Sequence, residues 1–138
     1  MSNIRTRFAP SPTGYIHVGN VRSALYPFFI ARQNNGQFIL RIEDTDQNRF
    51  VDGAEDLIVD VLHWLGVDWD EGPNGTTECG NYGPYHQTDR REIYHKWAMK
   101  LVDKGLAYAD PRTPDEIKHL QDEAKHNHQL FLYRDHRP

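Results

Sequence analysis

An α/β fold with a parallel sheet is what this sequence predicts, on three observations. An alternating run, Ile4, Thr6 and Phe8, stops at Pro10, Pro12 and Gly14. A helical pattern follows over residues 16–33, with Val21, Ala24, Leu25, Phe28 and Ala31 on one stripe. A short apolar run, Phe38-Ile39-Leu40-Arg41-Ile42, comes next, as in a strand buried on both faces of a parallel sheet. Strand, helix and strand within roughly 35 residues fit a βαβ unit, whose crossover is expected to be right-handed.

Length and composition narrow the class. The chain has 138 residues, 38% of them hydrophobic and 12% aromatic, which suits one domain or slightly more and excludes a disordered polymer. The net charge of −4, from 16 Lys and Arg against 20 Asp and Glu, argues against a dedicated basic nucleic-acid domain but leaves room for a local basic patch. Cys79 stands alone, so no internal disulfide forms and no cysteine cluster binds zinc. No apolar run approaches the ~20 residues that span a bilayer, and the start of the chain lacks the apolar core of a signal peptide. A cytoplasmic protein without a membrane partner is expected. The chain stops at Tyr133-Arg134-Asp135-His136-Arg137-Pro138, straight after an apolar stretch, and reads as a fragment cut inside a second domain.

Each element has its own signal. Residues 4–9 alternate as a strand does. In the helix over 16–33, Pro27 removes the bond to the Ser23 carbonyl and predicts a kink, and Asn34-Asn35-Gly36 ends it. Asp52-Gly53-Ala54-Glu55 has capping-box spacing, with Asp52 as the cap. Ala54, Leu57, Ile58, Val61, Leu62 and Leu65 follow at helical spacing, and Gly66 closes that helix. Val67-Asp68-Trp69-Asp70 is a candidate short strand, and residues 71–87 read as a loop long enough to be functional. A third helix is predicted over Thr88–Lys104, with Ile93, Tyr94, Trp97, Leu101 and Val102 inward. Thr113-Pro114-Asp115-Glu116 is a second capping box with proline at the first helical position. The helix behind it has few apolar positions, and its His126 and His128 have the wrong spacing for metal ligands on one face; they read as a solvated surface.

Two stretches carry the chemistry. Arg5 to Asn20 predicts strand, tight loop and helix, in which backbone N–H groups and a helix N-terminus converge on an anion. His17 falls in the first turn of that helix, Gly19 leaves its backbone open to a ligand, and Arg7 lies toward the strand's carboxyl end, where open α/β sheets bind ligands. The bland alternative is a turn and a surface histidine. Arg41-Ile42-Glu43-Asp44-Thr45-Asp46 ends the second strand on the same edge of the sheet. Glu43 and Arg7 together suit a zwitterion with an additional acid, because a guanidinium fork binds both oxygens of a carboxylate. The alternative is that Asp-Thr-Asp simply caps a turn.

R-F-A-P-S-P-T-G-Y-I-H-V-G-N followed by F-I-L-R-I-E-D-T-D resembles the start of bacterial glutamyl-tRNA synthetases, class I aminoacyl-tRNA synthetases; L-H-W-L-G-V-D-W-D-E-G-P and G-P-Y-H-Q-T-D-R resemble them too. The resemblance implies the first half of a Rossmann-type catalytic domain over residues 1–110 and the start of an inserted acceptor-binding domain over 111–138. It implies a monomeric parent that activates L-glutamate with ATP and Mg2+ and transfers it to the 3′ end of tRNA(Glu). By position it assigns Arg7, Ala9, Ser11 and Glu43 to glutamate, with Arg7 on the side-chain carboxylate and Glu43 on the α-amino group. It assigns Pro10, Thr13, His17, Gly19 and Asn20 to ATP, the last three as the catalytic signature, and Asp46 and Arg49 to the tRNA acceptor end.

There are departures. Asn20 stands where the signature often ends in histidine, and Gln47 where an arginine is common. Ala107-Tyr108-Ala109-Asp110 and its neighbours lack the zinc-binding cysteines of many relatives, so no structural zinc is expected. The Lys-Met-Ser-Lys-Ser type loop, the second half of the sheet and the anticodon-binding region are not in the 138 residues, so the chain alone is expected not to charge tRNA. A glutamyl-queuosine tRNA(Asp) synthetase is the nearest rival. A non-catalytic glutamate- or nucleotide-binding module is the rival of another class.

Overall fold

A computed structural model of the chain describes residues 4–136. The chain divides into two compact units, Met1–Tyr94 and His95–Pro138. The first holds β1 (Arg5–Phe8), α1 (Val18–Gln33), β2 (Gln37–Leu40), α2 (Ala54–Trp64), β3 (Gly72–Asn74), β4 (Thr77–Cys79) and a 3-10 turn at Thr88–Arg90. α3 (Arg91–Asp103) runs across the division, and α4 (Pro114–His126) and a second 3-10 turn (Tyr133–His136) follow.

The βαβ unit forms as predicted. β1 and β2 pair in parallel, Arg5 opposite Gln37, Thr6 opposite Phe38, Arg7 opposite Ile39 and Phe8 opposite Leu40. Ala24 and Ala31 of the α1 stripe are fully buried, with Leu25 and Phe28 packed against the core. The core joins Phe8, Phe38, Leu40 and Ile42 of the sheet to Ile58 and Leu62 of α2, and Val67 beyond it. Each fully buried side chain of this size contributes about 1.5–3 kcal/mol. α1 continues through Pro27, whose carbonyl accepts from Thr6 Oγ1 of β1 at 2.7 Å.

Three expectations about elements are corrected. Asp52 does not cap α2. The cap is Gly53, in the left-handed region at φ 74°, and it makes no side-chain cap bond. Glu55, the residue meant to reach back, has its carboxylate on His86 at 2.8 Å instead, while the Ala54 amide is satisfied by the Val51 carbonyl at 3.1 Å.

Residues 67–70 do not form a strand. The far edge of β2 is filled by other means. The Phe38 amide donates to the Asp70 carboxylate at 2.7 Å, which Arg32 also pairs with at 2.7 Å. The Asp70 amide returns a bond to Phe38 O at 2.8 Å, and the Leu40 amide donates to Glu71 O at 2.8 Å. A carboxylate has taken the place of one ladder acceptor. Glu71 itself is 3% exposed. Its carboxylate holds Arg5 at 2.8 Å and the Tyr85 hydroxyl at 2.5 Å. Burial and the adjacent Glu71 push the Tyr85 phenol up from its ordinary value.

The predicted loop at 71–87 contains a hairpin, β3–β4, with Asn74 opposite Thr77 and Gly75 first in a two-residue turn.

α3 buries none of its residues. Ile93 and Val102 are half-buried, whereas Trp97 is 60% exposed and Tyr94 and Leu101 are also exposed. α4 starts as predicted: Thr113 and Glu116 form the capping box and Pro114 is the first helical residue. Before it, Arg112 forks onto Asp110 at 2.9 and 2.7 Å, and the Tyr133 hydroxyl bonds the same carboxylate. These partners hold the Asp110 carboxyl well below the usual range.

Candidate functional site

The N-terminus of α1 is built differently from the open cradle the sequence predicts. His17 is the residue before the helix rather than one in its first turn. Its Nδ1 accepts from the Gly19 amide at 3.1 Å, and its carbonyl accepts from the amides of Asn20 and Val21 at 2.9 and 3.2 Å. Asn20 Oδ1 accepts from the His17 amide at 3.0 Å, completing a reciprocal box. Most of the N–H groups available for an anion are therefore already satisfied by His17. What the site keeps is the helix dipole and the other ring nitrogen. With Nδ1 accepting, the neutral ring carries its proton on Nε2 and presents a donor there.

Gly19 has a specific reason to be glycine. A Cβ at this position would meet His17 Cε1 at 2.8 Å and Nδ1 at 3.0 Å. Only a residue without a side chain lets the imidazole lie against the backbone and cap it. Beside this cap is a concavity of about 230 Å³ that gathers Pro10, Ser11, Thr13, His17 and Asn20, with Ile58 of α2 contributing an apolar wall. Arg7, Ala9, Glu43, Asp46 and Arg49 do not line it.

The two motif stretches are nonetheless joined through the backbone. The Glu43 amide donates to Pro10 O at 2.8 Å, the Arg41 amide to Phe8 O at 3.1 Å, and the Val51 amide to Pro12 O at 3.0 Å. Glu43 is thus level with Pro10, and Arg7 lies three residues short of it, roughly 10 Å along the strand direction. Arg7 is exposed, and its side chain has no hydrogen-bonding or ionic partner among the described residues. Ala9 is half-buried, and Ser11 is exposed.

Several neighbours make contacts that the motifs did not announce. Arg41 pairs with Glu43 at 2.8 Å, and its Nε is buried without a partner. The Asp44 carboxylate accepts both the Thr88 amide, at 2.9 Å, and the Thr88 hydroxyl. Burial opposes charge on Asp44, but these bonds outweigh it and its carboxyl lies below its ordinary value. Where the capped-turn alternative expects the Asp44 carboxylate to cap its own turn, the amide it satisfies lies 44 residues away. Asp46 and Arg49 hold each other through Nε at 2.6 Å and NH2 at 2.5 Å. The signal for Arg41 was present in the sequence, two residues before Glu43 on a strand and hence on the same face. Nothing local pointed to Thr88.

Residues 3–136 match the family described as class I tRNA synthetases (E and Q), catalytic domain. A curated glutamate–tRNA ligase of Levilactobacillus brevis is 50% identical over 123 residues, 89% of this chain and 24% of the relative. One from Amoebophilus asiaticus is 54% identical over 119 residues, 86% of this chain and 23% of the relative. The crystal structure of a glutamate tRNA ligase from Elizabethkingia meningosepticum, in complex with its amino acid, superposes with a TM-score of 0.85 at 42% identity, covering 94% of this chain and 25% of that one. The chain spans about a quarter of the length of the curated relatives it matches.

Proposed function

The chain belongs to the class I tRNA synthetase family for E and Q, as part of the catalytic domain, and on that premise we propose that the whole protein is a cytoplasmic, monomeric glutamate–tRNA ligase. In this reading the α-carboxylate of L-glutamate attacks the α-phosphorus of ATP, giving glutamyl adenylate and pyrophosphate. A hydroxyl of the terminal ribose of tRNA(Glu) then takes the glutamyl group and AMP leaves.

The observation that carries the reading is the 2.8 Å bond from the Glu43 amide to Pro10 O: Glu43, taken as the amino-group acceptor, shares an edge with the loop leading to His17. Arg7, its side chain unpartnered among the described residues and roughly 10 Å back along the strand, is left for the far carboxylate of a small dicarboxylic amino acid, with Ala9 between and Ser11 just past Pro10. ATP fits the donor set of the neighbouring concavity: the Ser11 and Thr13 hydroxyls, the proton on His17 Nε2 and the positive end of α1. Pro10 lines the concavity, and Gly19, which does not, serves it by leaving room for the His17 ring. Asn20 holds His17 through Oδ1 and also lines the concavity, where its side-chain NH2 is a further donor to ATP. Asp46 and Arg49 are assigned to the tRNA acceptor end, where their mutual ion pair must open for Arg49 to meet a phosphate. The inserted acceptor-binding domain is proposed to begin at residue 111.

Mg2+ is expected to enter with the nucleotide. Among the described residues no group of three or more His, Cys, Asp and Glu is placed to hold a metal. The curated relatives above carry the glutamate–tRNA ligase name, which favours this reading over the queuosine one. The test is ATP-dependent charging of tRNA(Glu) with labelled glutamate by the whole protein. No charging above a control without enzyme, with tRNA known to be chargeable, overturns it.

A further inference from the structure

His86 sits where three parts of the first unit meet. Its Nε2 is 2.8 Å from Glu55 Oε1 on α2, and its Nδ1 is 3.4 Å from Glu78 Oε1 on β4. Ionised carboxylates only accept hydrogen bonds, so a ring that bonds both must donate from both nitrogens, and only the imidazolium can do so. Asp44, on the segment after β2, adds a third negative charge.

The backbone around His86 holds the segment that carries Glu43. The Ile42 amide donates to Tyr85 O at 2.9 Å and the Gln87 amide to Ile42 O at 2.9 Å, so residues 85–87 run parallel beside Ile42. Thr88 then binds Asp44. Both neighbours of Glu43 in the chain are thus tied to residues 85–88. His86 ties residues 85–88 in turn to α2 and the hairpin, and the Tyr85 amide adds a 2.6 Å bond to the same Glu78 oxygen.

We propose that His86 is a positioning residue: held as an imidazolium between Glu55 and Glu78, it fastens the strand end that carries Glu43, and its proton sets how firmly that end is held. Burial disfavours charge on the ring, but the bonds and charges of Glu55 and Glu78, with Asp44 beyond them, outweigh it and hold the proton above the ordinary value of 6.5. When the proton leaves, one nitrogen becomes an acceptor facing a carboxylate. The longer contact, to Glu78, is the one that opens. The consequence for amino-acid binding rests on the glutamate reading above; the clamp itself does not.

The test uses the full 138-residue chain, labelled with 15N and titrated from pH 5 to 9. The ring nitrogens of His86 are followed by long-range proton–nitrogen spectra, together with the amides of Glu43, Asp44, Gln87 and Thr88. The ring is expected to titrate above 6.5, with those amides moving at the same midpoint, and Glu55→Gln to bring the midpoint down. A ring that titrates at or below 6.5, or amides that ignore its midpoint, overturns the clamp; wild type alone decides this if the variant fails to fold. L-Glutamate binding by calorimetry forms a second arm. Its Kd is expected to rise at least about threefold through the His86 midpoint in wild type and to stay flat in His86→Gln. A flat wild-type profile overturns the positioning role. No glutamate binding at any pH, to this chain or to the whole protein, counts against the proposed function instead, and the ring and amide midpoints still decide the clamp.

Discussion

The amide of Glu43 donates to the carbonyl of Pro10 across 2.8 Å, and with the Arg41 bond to Phe8 it carries the β1–β2 pairing on past the strands, so the two motif stretches form a single edge. It also sets Arg7 back along β1, so the two charged residues stand apart along the edge rather than side by side.

Arg7→Ala is therefore expected to act on glutamate alone. Loss of a charge-assisted fork onto the side-chain carboxylate should weaken glutamate by at least ~10-fold, about 1.4 kcal/mol. ATP affinity should hardly change, because the His17 cap and its concavity do not include Arg7. Steady-state KM values of the whole protein for both substrates check this; an unchanged glutamate KM would show that Arg7 does not read the side chain.

Gly19→Ala tests the cap. Its methyl would come within 2.8 Å of the His17 ring, so the imidazole must swing away and give up its bond to the Gly19 amide. A stability loss of about 1 kcal/mol, typical of a broken helix cap, is expected, with ATP binding weakened up to about tenfold as Nε2 leaves its place. Urea denaturation and nucleotide titration measure the two parts. A variant with wild-type ATP affinity would remove His17 Nε2 from the nucleotide site.

Asp52→Ala is expected to leave stability within about 0.5 kcal/mol of wild type, because Asp52 makes no cap bond. Gly53→Ala should cost about 1–2 kcal/mol, since alanine must take up the left-handed backbone at φ 74°. Denaturation midpoints of the pair discriminate: a larger effect at Asp52 than at Gly53 would contradict the cap described here.

The pH dependence of stability has two sides. His86 holds its proton above 6.5 in the folded chain, so its contribution is complete below 6.5 and is lost as pH rises through the higher folded value. Asp44 is lowered from 3.8, so its contribution is complete above 3.8 and is lost as pH falls through the lower folded value. Both are present in full between 3.8 and 6.5. Urea midpoints across pH should show the alkaline loss shrinking in His86→Gln and the acid loss shrinking in Asp44→Asn. Unchanged profiles in both variants would exclude these groups as the cause.

The sequence was readable where one periodicity governed. The β1–α1–β2 unit, the stripe of α1, the core face of α2 and the Thr113 box all follow from spacing within one element. Errors arose where a distant residue competed for a local group. Glu55 could not complete a box with Asp52 because His86, 31 residues away, takes its carboxylate. Residues 67–70 could not pair as a strand because the Asp70 side chain claims the Phe38 amide. The hairpin hid because Gly-Pro-Asn and Thr-Glu-Cys are too short to alternate, and Gly75, the first residue of its turn, is its local sign. At the site, the residue types near Pro10 and Glu43 were legible, but the inward turn of the His17 ring, which consumes the helix N–H groups, was not.

The far edge of β2 is closed along its length: Phe38 is bound by Asp70, Leu40 by Glu71, and Ile42 by Tyr85 and Gln87. Among the described residues no strand lies on the other side of β1. Growth of this sheet is thereby polar. A newcomer strand has no vacant amides to find beside β2, where two acids and a buried tyrosine already stand, and must add beside β1. The same asymmetry guards against edge-to-edge aggregation on the β2 side and leaves β1 as the seam along which the sheet can be extended.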